Sequence, residues 1–209
     1  MIEDHVYMVA TAPAGAMCYY YAMGEDAVLI DCGLNAHGLC EAAEKNGHKL
    51  RAVLLTHCHY DHICGLPALI EAYPHVPIYI HEDDLAGLND ADYNVSGLFG
   101  VTDFPTIPAV PFTDGEKLAF GNVQLTAIHT PGHTMGSSCF TDGMRIFSGD
   151  TLFCGGIGRA DLPGGDHETL IASIHNKLMV LQSELSVLPG HGKGTTLFNE
   201  SIFNPFLQV

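Results

Sequence analysis

Cationic side chains are scarce here: Lys and Arg total 8 against 24 Asp and Glu in 209 residues, a formal charge of -16. A protein that grips a phosphate backbone needs a cationic footprint, and this chain has almost none to offer. The imbalance counts against nucleic acids and anionic membrane surfaces as partners. No run approaches the roughly 20 consecutive apolar residues that cross a bilayer. The seven cysteines are odd in number and include no CxxC pair. The opening MIEDHVYMVATAPAG carries acids early and lacks a basic segment followed by an apolar one, so it does not read as a signal peptide. Together these point to reduced thiols in a cytoplasmic protein, most of them small buried hydrophobes. No repeat, linker, charge block or low-complexity stretch divides the chain, so one domain over 1–209 is expected, with 47% hydrophobic residues to fill its core.

The hydrophobic pattern alternates between strand and helix periods. HVYMVAT and CYYYAM read as opening strands joined through APAGAM. GEDAVLIDCG reads as a turn, a buried strand and a stop. AHGLCEAAEKNG is helical, with Asn46-Gly47 ending it. LRAVLLTH is a continuous apolar run, as expected of an interior strand covered on both faces. LPALIEAYP predicts a helix closed by Pro74, and VPIYIHEDD the next strand. Residues 85–110 show little periodicity and read as a helix fragment and a long loop. KLAFGNVQLTAIHT and SSCFTDGMRIFSGD predict hairpins, the second turning at Asp142-Gly143. DHETLIASIHNKLMVLQ is the clearest helix, with Asp166 as N-cap and a stripe of Leu170, Ile171, Ile174, Leu178 and Leu181. LSVLPGHG reads as a last strand.

Polar residues with chemistry in them gather where these strands end. THCHYDHICG places His57, His59, Asp61 and His62 within six positions, directly after an apolar strand. Alternate residues of an extended segment face one side, so His57 and His59 can converge on one ion. Asp61 and His62 follow a turn and can reach a second point nearby. HTPGHT adds His133, SGDTLF adds Asp150, and LPGHG adds His191, each beside Gly, Pro or Thr that lets the backbone turn sharply. Imidazole and carboxylate without thiolate suit Zn, Fe or Mn rather than a closed structural zinc. Two ions need a bridging carboxylate, for which Asp150 is the natural candidate. His129 stands four residues before His133, but Pro131 and Gly132 intervene, so no helix aligns the two. His5, His37, His48, His75, His81, His167 and His175 receive no role. Cys58 and Tyr60 are expected to point away from the ligands.

The motifs THCHYDHICG, TPGHTMGS, FSGDTLFCGGIGRADLPGGD, LPGHGKGTT and NPFL resemble the metallo-β-lactamase superfamily, and within it the short members of the glyoxalase II branch. That resemblance implies an α/β fold, a four-layer αββα sandwich of two mixed sheets flanked by helices. It assigns His57, His59 and His133 to one metal ion, and Asp61, His62 and His191 to another. Asp150 would bridge them, with Asp61 and Asp150 as the catalytic carboxylates. The cofactor is then two divalent metal ions, zinc first, with iron or manganese as alternatives. The activity implied is hydrolysis of a small-molecule thioester such as S-lactoylglutathione by a water-derived hydroxide. Longer glyoxalase II enzymes add a C-terminal helical domain whose basic residues hold the glutathione carboxylates. Such a domain is not expected after residue 191. Arg159 and Lys193 are the only cations near the motifs and are the candidate substrate contacts. Arg159 has a competing structural role, pairing with Asp161 or Asp166.

Three other readings share these residues. A persulfide dioxygenase would bind a single iron, and that group carries alanine where Gly190 stands. A lactone or β-lactam hydrolase would use equivalent acyl chemistry, although class B lactamases commonly place Cys where Asp150 stands. A non-catalytic metal-binding module is the least expected, because every ligand position is filled.

Overall fold

The computed structural model describes residues 5–10, 15–34 and 36–208. Its first sheet contains β1 (Val6–Ala10), β2 (Met17–Met23), β3 (Asp26–Ile30), β4 (Lys49–Leu54), β5 (Ile78–His81) and β6 (Val110–Phe112), side by side in that order. The β1–β2 and β2–β3 pairs are antiparallel, and β3 through β6 run parallel. The second sheet begins with β7 (Lys117–Phe120), β8 (Val123–His129), β9 (Ser138–Thr141) and β10 (Arg145–Gly149). A small ribbon of β11 (Leu152–Phe153) and β12 (Gly156–Ile157) follows. The chain then returns to the second sheet as β13 (Ser186–Pro189), parallel to β10, and β14 (Thr195–Thr196) at the edge. Helices α1 (His37–Lys45), α2 (Tyr60–Ile63) and α3 (Leu66–Ala72) belong to the first half. Helices α4 (His167–Ser173) and α5 (Leu197–Phe203) belong to the second.

Three apolar layers explain why the strands read as continuous hydrophobic runs. Between the sheets, Tyr19, Tyr21, Val28, Ile30 and Leu54 meet Leu125, Phe140, Phe147 and Leu188. Their sequence neighbours point the other way, because side chains alternate along a strand. Leu29, Val53 and Leu55 pack outward against Ile63, Leu66 and Leu69 of α2 and α3. On the far side, Cys139, Ile146 and Val187 pack against Leu170, Ile174, Leu178 and Leu197. Both faces of both sheets are thus covered, and the αββα order implied by the motifs is the order observed.

Most elements stand where the sequence placed them. The hairpin over 138–149 pairs Phe140 with Phe147 across the Asp142-Gly143 turn. The segment joining β1 to β2 lies partly outside the described residues. Asp166 caps α4, its Oδ1 accepting from the Thr169 amide at 2.7 Å. This helix is shorter than expected: α4 ends at Ser173 and continues only as a π turn, Ile174–Leu178, leaving Leu181 beyond it. Two further corrections concern weakly patterned segments. Residues 85–110 hold two 3-10 turns, Gly87–Asn89 and Ser96–Phe99, and end in the unanticipated β6. LSVLPGHG is not the last element, because β14 and α5 follow it. A two- or three-residue edge strand carries too few alternations to be read from pattern alone.

Candidate metal centre

The site forms where β4, β8, β10 and β13 end. Past β4, the extended backbone of His59 (φ -64, ψ 146) turns into α2, so His57 and His59 share a face and Asp61 and His62 sit on the following helical turn. Past β8, Gly132 adopts φ +129 where a Cβ would lie 2.3 Å from the Leu170 amide nitrogen, seating the His133 loop on α4. Asp150 follows β10, and His191 follows β13. These ends converge because the two sheets place their carboxyl termini at one rim, a common location for chemistry in layered α/β proteins.

Three imidazole nitrogens meet at the first position. His59 Nδ1 lies 2.9 Å and His57 Nε2 3.2 Å from His133 Nε2. At the second position, His191 Nε2 is 3.2 Å from Asp61 Oδ2, and His62 Nε2 is 3.8 Å from the same oxygen. Asp150 stands between the groups. Its Oδ1 is 3.3 Å from His62 Nε2, and its Oδ2 is 3.6 Å from His133 Nε2 and 3.4 Å from His191 Nε2. The structure therefore brings together all seven predicted ligands. Cys58 is buried among the side chains of the outer core, away from this point.

The far nitrogens of His57, His62 and His133 are already engaged, which turns the near ones inward. His57 Nδ1 is 3.1 Å from Thr56 Oγ1, and His133 Nδ1 donates to the Arg159 carbonyl at 2.7 Å. His62 Nδ1 donates to Asp31 Oδ2 at 2.8 Å. Asp31 was missed by the sequence reading. It is buried, adopts φ +58, and also accepts from the Thr56 amide and hydroxyl, tying the end of β3 to the ligand loop. The only signal was an Asp closing an apolar strand in LIDCG. Asp84, likewise missed, accepts from the Cys58 and Gly136 amides and the Thr134 hydroxyl, joining the two histidine loops.

Electrostatics suit cations. Burial holds His57 well below its usual range and pushes His59 down to about 3, with His133 adding to the effect, so these rings are neutral and free to donate lone pairs. Burial also opposes the charged form of His191, but hydrogen bonds that it donates to Asp150 and Asp61 outweigh it and raise that ring to about 9. Burial works against ionisation of Asp150, yet His62 and His191 hold its carboxyl well below the usual carboxylate range. His62 Nε2 and Asp150 Oδ1 are buried with no hydrogen-bond partner. Orphaned donors facing one another, all nitrogen or oxygen, fit two metal ions of the zinc, iron or manganese kind.

Beside the cage lies a cleft of about 210 Å³, walled by Val95, Leu98, Phe99, Arg159 and Leu162. Residues 85–110 thus supply one side of it. The Arg159 guanidinium is bound to Asp161 through two contacts of 2.7 Å, the bracing role anticipated as its alternative. Lys193 is exposed and does not line the cleft. His81, Asp83 and His129 also approach one another, but the two rings stack face to face at 3.8 Å, and His129 Nε2 is 2.8 Å from the Met135 carbonyl. Parallel rings do not aim two lone pairs at one point.

Comparison with known proteins agrees with this geometry. The family model of the metallo-beta-lactamase superfamily matches residues 12–191. The chain is 37% identical over 199 residues to the probable metallo-hydrolase YqgX of Bacillus subtilis, covering 94% of each. It is 35% identical over 188 residues to the hydroxyacylglutathione hydrolase GloC of Haemophilus influenzae, covering 88% of each. Among solved structures, the BLEG-1 B3 metallo-beta-lactamase superposes with a TM-score of 0.89 at 34% identity, over 98% of this chain and 100% of that one. TTHA1623 in a di-iron-bound form gives 0.86 at 40%, over 97% and 100%. ETHE1 from Myxococcus xanthus gives 0.78 at 25%, over 96% and 83%. A buried His and Asp cage at the rim of an αββα sandwich, matched over nearly the whole chain, makes this protein a member of the metallo-beta-lactamase superfamily.

Proposed function

We propose that this metallo-hydrolase holds two metal ions and cleaves hydroxyacyl thioesters, as glyoxalase II enzymes do. The observation that carries the reading is Asp150, whose two oxygens face both donor groups at once. His57, His59 and His133 would hold one ion, Asp61, His62 and His191 the other, and Asp150 both. Bound there, two divalent cations supply a Lewis acid for a carbonyl oxygen and a water acidic enough to be a nucleophile, its pKa lowered toward about 7. The chain supplies the rest. Burial and the flanking imidazoles keep Asp150 ionised. Asp61, with its side chain 22% exposed, offers its carboxylate at the cleft surface as a proton acceptor. No Ser, Thr or Cys lines the cleft among the described residues, which favours water over a side-chain nucleophile.

The thioester assignment draws support from the likeness to GloC and from Gly190. A Cβ at position 190 would lie 2.2 Å from Asp150 Oδ1 and 2.7 Å from His62 Cε1. Alanine there would displace the shared carboxylate, which weighs against a single-iron dioxygenase. A β-lactam substrate is the second reading, favoured by the likeness to BLEG-1.

The test pairs elemental analysis of the purified protein with assays on S-lactoylglutathione, a simple acyl thioester and a β-lactam. About two metals per chain and thioester cleavage are expected. Asp150→Ala should lose about 100-fold or more, since even neighbours of metal ligands cost 10–100-fold. One iron per chain with oxygen consumption, or lactam turnover alone, would refute the reading.

A further inference from the structure

The cleft wall differs in character from the cage. No Lys or Arg occurs between Arg51 and Lys117, the stretch that supplies the first ligand motif and one whole side of the cleft. That stretch presents apolar side chains to solvent instead. Leu98 is 76% exposed and Phe99 59%, both lining the cleft. Large apolar groups left in water beside a reactive site mark a contact surface.

The shelf is built, not a passing loop conformation. Val95, which enters the turn Ser96–Phe99, sits at φ +58. A β-branched residue in the left-handed region is strained and persists only where its surroundings impose it. Here the buried Asn94 does so: its side chain donates to the Leu88 carbonyl at 3.1 Å and accepts from the Ser96 amide at 2.9 Å. Its own carbonyl accepts from the Tyr60 amide at 2.8 Å, joining the shelf to the metal-ligating turn α2. The Tyr60 ring supports Phe99 at 5.2 Å. Opposite, Arg159 is the only Lys or Arg lining the cleft among the described residues, and Asp161 already holds its charge.

From this we infer the substrate class: the thiol carrier of the thioester is uncharged, and its apolar part rests on Val95, Leu98 and Phe99. A thiol carrier with two carboxylates, such as glutathione, finds no free cation on this shelf and is the poorer substrate. The inference rests on the thioester reading above, so its test uses binding of uncleavable analogues. Calorimetry on the metal-loaded protein compares N-acetyl-S-hexylcysteamine, a neutral thioether, with S-hexylglutathione. The neutral ligand should bind at least about tenfold tighter, and Leu98→Lys, which removes an apolar contact and puts a cation on the shelf, should erase most of that preference. Leu98 is exposed, so the variant keeps its fold, which metal content and circular dichroism verify. Equal or tighter binding of S-hexylglutathione by the parent overturns the inference, as does a preference unchanged in both Leu98→Lys and Phe99→Ser. A protein that prefers the neutral thioether yet cleaves no thioester keeps the apolar shelf and loses the proposed reaction.

Discussion

At the scale of single residues, the candidate ligands were legible and their supports were not. His57, His59, Asp61 and His62 stand out because imidazoles and a carboxylate crowd into six positions after an apolar strand. Asp31 does the same amount of positioning with no such crowding. It meets Thr56 and His62 only after β3 and β4 pair, and its 25-residue separation from Thr56 hides the contact. Its role predicts a specific outcome. Asp31→Asn keeps a residue tolerant of positive φ but replaces a carboxylate oxygen at His62 Nδ1. The His62 ring then loses its orientation, and metal affinity should fall about 10–100-fold with little loss of fold. A competition titration with a chelator measures it, and affinity within twofold of the parent would refute the role. Gly132 belongs at this scale too, since only a residue without a side chain fits against α4 at that φ.

Among the elements, length decided what could be read. The seven-residue β8 and the capped start of α4 carry enough period or chemistry to announce themselves. The three-residue β6 does not, and the π turn after Ser173 breaks the helical period that would have marked the end of α4. The α4 cap also reaches the site. The Asp166 amide donates to the Gly132 carbonyl at 2.8 Å, next to His133. Asp166→Ala should cost about 1 kcal/mol of stability through the lost cap, seen as a lower urea midpoint. Metal binding should weaken less than in Asp31→Asn, because the backbone contact to Gly132 survives the substitution. A midpoint identical to the parent would mean that the cap contributes nothing to the folded state.

For the whole molecule, charge is the dominant feature. Lys49, Arg51, Arg145, Arg159 and Lys177 each pair with a carboxylate, which leaves most of the acids uncompensated. Two divalent cations would remove about four units of that excess. Metal uptake should therefore couple to protons unequally. His57 and His59, both held down by burial, have no proton to displace at neutral pH, whereas His191, raised to about 9, and His62, raised against the effect of burial well above its usual range by Asp31 and Asp61, do. An ion at Asp61, His62 and His191 should bind at least about tenfold more tightly per pH unit up to about 9, with proton release, and an ion at His57, His59 and His133 with less. Calorimetry in buffers of different ionisation enthalpy separates the two, and equal proton release for both equivalents would contradict it. Without metal, the charged His191 stabilises the fold fully below its ordinary 6.5, and that contribution disappears as pH rises through about 9. Hydrophobic alternation placed most of the strands, and four short motifs picked out the candidate ligand side chains and the family resemblance that implied two covered sheets, because these are local properties of strands and of residues at their ends. Which oxygen of Asp150 faces which group, which carboxylate orients His62, and what walls the cleft were decided only by tertiary structure. Those relations depend on distances between segments tens of residues apart, which no local pattern encodes.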